Sequence, residues 1–160
     1  MKKLVLALVV ALLVSGCGGV AAPKVARLPD ATLQPLRESG KPARLSALRG
    51  PMVVNLWANW CKPCRRELPI YEEFHHKHPD VPVLGVNWED PARTKALEVA
   101  DKAGVTYPLV VDYRPVIAGK GLPKLILIDT QGHIAFQDYV EIKSLPQLEA
   151  LVHEHLKARQ

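Results

Sequence analysis

The sequence predicts an α/β domain with a central mixed β-sheet and helices on both of its faces. Three observations predict this class. Strand-like apolar runs alternate with amphipathic runs of helical period, two apolar runs flank a short turn, and one more amphipathic run follows them. The resulting order is strand, helix, strand, helix, hairpin, helix, and the chain is long enough for one domain with a single core.

The first strand and the first helix have the strongest signals. Residues 52–58 form an apolar run rich in β-branched and aromatic residues, which is typical of a buried strand. Residues 65–74 have apolar positions at helical spacing, and we expect this helix to end near His78. Upstream, residues 33–36 and 43–45 have weaker signals for short edge strands or turns.

The second strand and helix follow the same pattern. Residues 81–88 predict another buried strand. Asp90 then fits a helix N-cap and Pro91 the first helical position, and Gly104 is a natural stop for the helix. Residues 109–111 predict a short strand.

The last part of the chain predicts a hairpin and a terminal helix. Residues 125–128 and 134–140 flank a turn that contains Gly132. Ser144 and Gln147 have the spacing of a capping box. The apolar stripe of the helix comprises Leu148, Leu151, Val152 and Leu156.

The most informative segment is a Cys-x-x-Cys pair, Cys61 and Cys64, where the first strand turns into the first helix. At that place unpaired backbone N–H groups and the helix dipole favour a thiolate over a thiol. Cys64 follows about one helical turn later, close enough to form a small disulfide ring. The pattern therefore predicts thiol–disulfide exchange.

Two other interpretations of the pair are a structural disulfide and half of a zinc site. A two-residue spacing closes a loop too small to remove much unfolded-state entropy. No second Cys-x-x-Cys follows, and His76 and His78 do not share a helix face, so we expect surface histidines. We predict no metal site and no cofactor.

The N-terminus has the features of a secretory signal. Residues 1–16 contain Lys2 and Lys3, then an apolar run too short for a membrane span and small residues before Cys17. Residues 14–17 resemble the bacterial lipobox, in which Cys17 would be acylated; the alternative is an ordinary signal peptide with an incidental cysteine. We expect residues 17–43 to be a lipidated N-terminus and tether, and residues 44–160 to be the folded domain.

The charge of the chain argues against a nucleic-acid partner. The formal net charge is +5, and it falls to about +3 when Lys2 and Lys3 leave with the signal. The remaining basic residues are dispersed, apart from a local cluster of Lys62, Arg65 and Arg66. We expect a monomer, outside the cytoplasm, anchored by lipid to a bacterial membrane.

The block from Val53 to Pro69 resembles the active-site block of the TlpA/ResA/CcmG branch of the thioredoxin superfamily. These proteins are extracytoplasmic thiol–disulfide oxidoreductases. Residues 45–50 resemble the lead-in to the family's central strand, and residues 121–132 resemble the stretch with the active-site cis-proline. The resemblance runs from about residue 33 to the end and implies a thioredoxin-like fold.

The resemblance also implies roles for individual residues. Cys61 would be the attacking nucleophile and Cys64 the resolving thiol. Pro123 would have a cis peptide bond against the cysteine pair, and the Leu122 backbone would hydrogen-bond an extended substrate. Trp60 would form the apolar rim of the exchange site.

Two residues bear on proton transfer. Many thioredoxins have a buried aspartate six residues before the first cysteine, and this chain has Asn55, which cannot accept a proton. Glu67 matches the glutamate that follows the motif in this branch, and it could take a thiol proton if burial raised its pKa. The alternative is a solvated glutamate paired with a nearby lysine or arginine. Lys124 departs from the family pattern after the proline.

We expect a reductase, and because an oxidising exterior would leave its cysteine pair spent, we expect a membrane donor to supply electrons. The resemblance implies that its substrates are extracytoplasmic proteins, such as apocytochrome c or a copper-handling protein. Three alternatives remain open: an oxidising enzyme of the same fold, a non-catalytic lipoprotein with a permanent disulfide, and a copper-delivery protein.

Overall fold

A computed structural model describes residues 26–156, which form a seven-stranded mixed sheet with three α-helices. The strands are β1 (Thr32–Pro35), β2 (Ala43–Arg44), β3 (Met52–Trp57), β4 (Val83–Trp88), β5 (Leu109–Asp112), β6 (Lys124–Ile128) and β7 (Ile134–Asp138). The helices are α1 (Lys62–Lys77), α2 (Arg93–Lys102) and α3 (Leu145–Leu156), with a 3₁₀ turn at Leu45–Ala47. The predicted α/β class with a mixed sheet is confirmed.

Strand β3 lies inside the sheet, whose order is β2-β1-β5-β4-β3-β6-β7. It pairs in parallel with β4 and antiparallel with β6, and β5 continues the parallel part beyond β4. Asn55 lies opposite Gly85 on one side and Leu125 on the other. Because every residue of β3 from Val53 onward is buried, the strand forms a rigid base for the segment that follows it.

The three α-helices lie against one face of the sheet, whereas the sequence predicted helices on both faces. The buried apolar side chains of α1, α2 and α3 all join one core cluster with Val53 and Trp57 of β3. The opposite cluster contains Val54 and Leu56, and it is covered by the 3₁₀ turn through Leu45 and by irregular segments. The strand order explains this: β3, β4 and β5 follow one another in one direction, so right-handed crossovers place α1 and α2 on the same face.

The folded unit begins before residue 44, the start that the sequence predicts. Leu28 is buried, and β1 pairs with β5 through Gln34 opposite Val111. Part of the predicted tether is therefore the edge of the sheet. The predicted signal peptide and the lipidation site Cys17 lie outside the described residues. Within 26–156, no helix is both long enough and apolar enough to span a bilayer.

The prediction that Asp90 and Pro91 begin the second helix was wrong. Helix α2 begins at Arg93, and its N-cap position is Ala92, which makes no side-chain capping bond. The carboxylate of Asp90 still accepts a hydrogen bond from the Ala92 N–H, two residues later, but it is fully buried and also accepts from Asn59 and Asn87. The local bond that the sequence favoured has become part of a buried network, and the helix begins two residues later than predicted.

The predicted hairpin and terminal helix are present. β6 and β7 pair antiparallel, and Gly132 occupies the turn with a φ of 82°, which a side chain would rarely adopt. The Ser144 hydroxyl accepts a hydrogen bond from the Gln147 N–H at 3.4 Å. The Gln147 side chain accepts in turn from the Lys143 N–H rather than from Ser144, so the capping box is displaced by one residue.

Candidate active site

Cys61 and Cys64 form a disulfide at the beginning of α1, with their Cα atoms 5.3 Å apart. Cys61 is the N-cap of the helix, and its sulfur accepts a hydrogen bond from the Cys64 N–H at 3.3 Å. Cys61 is 4% exposed and Cys64 is fully buried. Because Cys61 is the more exposed of the two residues and its sulfur faces a helix N-terminus, the geometry favours this sulfur as the attacking thiolate.

The first turn of α1 has positive side chains and no acidic one. Lys62, Arg65 and Arg66 are exposed around the disulfide, and Pro63 occupies the first turn, where no intrahelical N–H bond is needed. Arg66 pairs with Glu141 at 2.6 Å. The positive charges add to the helix dipole in favouring an anion at Cys61.

Trp60 lies next to the disulfide with 53% of its surface exposed. Its indole Nε1 donates to the Glu89 carbonyl at 3.3 Å, and the Glu89 N–H donates to the Asp112 carbonyl at 3.1 Å. Glu89 has a φ of 48°, a strained conformation for a residue other than glycine. The contacts on both sides of Glu89 hold it there, and the loop after β4 thereby supports Trp60.

The buried carboxylate of Asp90 joins this loop to the segment before Cys61. It accepts hydrogen bonds from the Asn59 backbone N–H at 2.7 Å, the Asn87 side chain at 2.9 Å and the Ala92 N–H at 3.2 Å. The Asn59 side chain also donates to it. Asp90 and Asn59 were missed as site residues because the sequence signal at Asp90 was interpreted as a helix cap.

Pro123 lies at the same end of the sheet as the disulfide. Strand β6 begins directly after it, and Lys124 lies opposite Leu56 near the end of β3 from which the chain passes to Cys61. The Leu122–Pro123 peptide bond is cis, as the resemblance predicts. Pro51 also follows a cis bond, which no sequence signal indicated.

Lys124 holds the segment before the cis-proline. Its side chain is buried on the face of the sheet opposite α1, where its ammonium donates to the Ala118 carbonyl at 2.7 Å. The Tyr139 ring lies 5.4 Å away. The Trp88 indole donates to the neighbouring Ile117 carbonyl at 3.0 Å. These contacts give Lys124 and Trp88 structural positions on the far side of the sheet.

Glu67 is buried in α1, with 2% of its surface exposed. Its carboxylate accepts a hydrogen bond from the Ile142 N–H at 2.7 Å. Burial raises the pKa of Glu67 to about 7, with a smaller increase from Glu141, and the Ile142 bond and Arg66 oppose this. The alternative of a solvated glutamate is therefore excluded, and Glu67 can hold or release a proton near neutral pH.

Asn55 is buried on the same face of the sheet as the disulfide. Its side chain and that of Tyr107 are both buried. Burial raises the pKa of Tyr107 well above its usual range. Neither residue supplies a base near neutral pH. Glu67 is a buried carboxylate on the same helix as Cys64, and it remains the candidate base.

The histidines at the end of α1 contact glutamate side chains near the surface. His76 lies 2.8 Å from Glu72, and His78 lies 2.7 Å from Glu149. In residues 26–156, no three histidine, cysteine, aspartate or glutamate side chains are grouped in a way that could hold a metal ion.

Comparisons with known proteins agree with this geometry. The model of the AhpC/TSA family matches residues 25–137. The thiol–disulfide oxidoreductase ResA of Geobacillus kaustophilus is 35% identical over 113 residues, which are 66% of this chain and 63% of that protein. The thiol:disulfide interchange protein DsbE of Vibrio cholerae is 28% identical over 123 residues, covering 73% of this chain and 65% of that one. The chain thus spans just under two thirds of the length of both curated relatives.

One solved structure extends the comparison to three dimensions. The secreted thiol-disulfide isomerase from Corynebacterium glutamicum superposes with a TM-score of 0.65 at 28% identity. The match covers 78% of this chain and 84% of that one.

Proposed function

The chain belongs to the AhpC/TSA family, and from that premise we propose that it is a thiol–disulfide oxidoreductase acting on protein substrates. The observation that carries the proposal is the Cys61–Cys64 disulfide at the N-terminus of α1, with the Cys64 N–H directed at the Cys61 sulfur. A permanent structural disulfide would not need this electrostatic support for one of its two sulfurs.

The proposed reaction begins with the reduced pair. The Cys61 thiolate attacks one sulfur of a substrate disulfide, which forms a mixed disulfide and releases the other substrate sulfur as a thiolate. Cys64 then loses its proton and attacks the Cys61 sulfur. The substrate leaves with both of its sulfurs reduced, and the enzyme retains the disulfide. Two electrons have passed from the cysteine pair to the substrate.

In this reaction the Glu67 carboxylate accepts the proton that the Cys64 thiol loses. The two residues are three positions apart in α1 and so lie on the same side of the helix, and both are buried. A carboxylate whose pKa is about 7 is a better proton acceptor than an ordinary glutamate and can return the proton in the reverse reaction.

Substrate contacts are assigned to the surface around Cys61. Trp60 provides an exposed apolar ring beside this sulfur. Leu122 and Pro123 are partly exposed at the same end of the sheet, where the Leu122 backbone would pair with an extended substrate segment. The chain would thus bind a substrate cysteine between an aromatic ring and a backbone edge.

The proposed location is outside the cytoplasm, at a bacterial membrane. Residues 1–16 have the composition of a secretory signal, and Cys17 stands in a lipobox-like sequence. Because an oxidising exterior would leave the pair oxidised after one turnover, a reductase there requires an electron donor in the membrane. Apocytochrome c and copper-handling proteins are the proposed substrates. Loss of membrane association in the Cys17→Ser variant, measured by fractionation, would support the anchor; unchanged association would overturn it.

Insulin reduction tests the central proposal. The protein should catalyse the dithiothreitol-dependent precipitation of insulin, and the Cys61→Ser variant should have no such activity. Lys41→Met is the control, because Lys41 is exposed and lies between β1 and β2, at one edge of the sheet. Equal activity in Cys61→Ser and in the parent would contradict the proposal.

A further inference from the structure

A groove of about 490 Å³ runs beside the disulfide, between α1 and α2. Its α1 side comprises Lys62, Arg65, Arg66 and Pro69, and its α2 side includes Lys102. Because these α1 positions recur every three to four residues, they form one stripe that begins directly after Cys61. The groove therefore opens next to the reactive sulfur.

The lining of the groove is basic. Four of its seven lining residues are lysine or arginine, and none is acidic. Arg66 is paired with Glu141, whereas Lys62, Arg65 and Lys102 are exposed and make no ion pair within residues 26–156. The net charge of the whole chain is only modestly positive, so this concentration of cations is a local property.

The groove also offers a backbone acceptor. Pro69 lies inside α1 and has no N–H to donate to the Arg65 carbonyl four residues earlier. Both residues line the groove. From Lys62 to Pro69 the helix advances by about 10 Å, which is the length of about three residues of extended chain. The groove thus matches a short peptide with acidic side chains and free backbone N–H groups better than a compact anion.

We propose that this groove binds an acidic segment of the partner protein, adjacent to the disulfide that Cys61 attacks. The proposal rests on the proposed oxidoreductase function and specifies its substrate class. Partners with aspartate or glutamate a few residues from the reacting cysteine are bound through Lys62, Arg65 and Lys102. Partners with lysine or arginine there are repelled.

The test uses three peptides that contain the same disulfide and differ only in the residues beside one cysteine: three glutamates, three serines or three lysines. The reduced protein is mixed with each peptide, and the second-order rate constant is measured at low and high salt. At low ionic strength the acidic peptide should react about tenfold faster than the serine peptide, and the lysine peptide slower. The differences should shrink at 0.5 M NaCl, where exposed charges are screened.

A matched pair of variants separates the groove from the overall charge. Lys102→Ser and Lys95→Ser remove one positive charge each from exposed positions of α2, but only Lys102 lines the groove. Lys102→Ser should reduce the ratio of acidic to serine peptide rates about threefold, and Lys95→Ser should leave it unchanged. Equal effects of the two variants, or equal rates for the three peptides, would overturn the groove proposal while exchange itself persisted. Failure to reduce any of the peptides would instead contradict the oxidoreductase function.

Discussion

The Asn59 backbone N–H donates a 2.7 Å hydrogen bond to the buried carboxylate of Asp90, across 31 residues of sequence. This bond joins the loop after β4 to the segment that leads from β3 to Cys61. The Asn87 side chain and the Ala92 N–H donate to the same carboxylate. Asp90 therefore positions the reactive loop without touching the disulfide itself.

Asp90→Asn should lower the free energy of unfolding by about 1–3 kcal/mol. The asparagine side chain has an NH₂ group where the aspartate has one of its two accepting oxygens. The N–H groups that donate to that oxygen in the parent protein would face another donor and lose their hydrogen bonds. Asp101→Asn is the control, because Asp101 is 61% exposed and forms a surface pair with Arg37 that contributes at most about 1 kcal/mol. Urea denaturation measures both. Equal losses of unfolding free energy in the two variants would show that the Asp90 hydrogen bonds stabilise the protein no more than an exposed ion pair does.

Glu67→Gln should change how stability depends on pH. The pKa of Glu67 rises from 4.5 in the unfolded chain to about 7 in the folded protein. Between pH 4.5 and 7 the Glu67 carboxyl is ionised in the unfolded chain but still protonated in the folded protein. The free energy of unfolding of the parent protein therefore falls as pH rises through this range. The loss is on the order of 3 kcal/mol, and it should be absent in the variant. At pH 8 the variant should therefore be the more stable protein.

Glu73→Gln is the matched control for that measurement, because Glu73 is exposed on the same helix. Its denaturation midpoint should follow that of the parent at every pH. The same Glu67→Gln protein tests the proton assignment: its exchange rate should fall severalfold near pH 7, where the carboxylate would act. An unchanged rate and unchanged thiol titration would remove Glu67 from the mechanism.

Trp60→Ala should weaken the reaction with protein substrates while leaving the fold intact. The ring is 53% exposed and makes one 3.3 Å hydrogen bond, so the free energy of unfolding should change by less than about 1 kcal/mol. Insulin reduction should fall severalfold, and reduction of glutathione disulfide should fall less. Tyr113→Ala removes another exposed ring, 42% exposed, and serves as control. A larger effect of Tyr113→Ala would place the substrate surface elsewhere.

Cys64→Ser should trap the mixed disulfide with a substrate. Cys61 can still attack, but no second thiol is present to release the substrate. Mass spectrometry of the variant mixed with a peptide disulfide should detect an adduct with the mass of one peptide half. Cys61→Ser should form none, because the remaining Cys64 is fully buried. Adducts on Cys64 alone would reverse the assigned roles of the two cysteines.

Patterns of short range were sufficient for much of the fold. The apolar run of β3, the helical spacing of α1 and the glycine turn between β6 and β7 each depend on neighbouring residues, and each was predicted. Asp90 shows where such patterns fail. The local bond from the Ala92 N–H to the Asp90 carboxylate is present, but the same carboxylate accepts three more hydrogen bonds from Asn59 and Asn87, which no local pattern indicated.

The sequence by itself determined where the cysteine pair lies in the chain and which elements flank it. A Cys-x-x-Cys pair between a buried strand and an amphipathic helix specifies a reactive sulfur at a helix N-terminus, because both features are local. Only the tertiary structure decided the surroundings of that sulfur. It brought Asp90 to Asn59, buried Glu67 against Ile142, and placed Lys102 of α2 across from Lys62 and Arg65 of α1. These residues are far apart in sequence, and their positions depend on strand order and crossover hand, which no local pattern encodes.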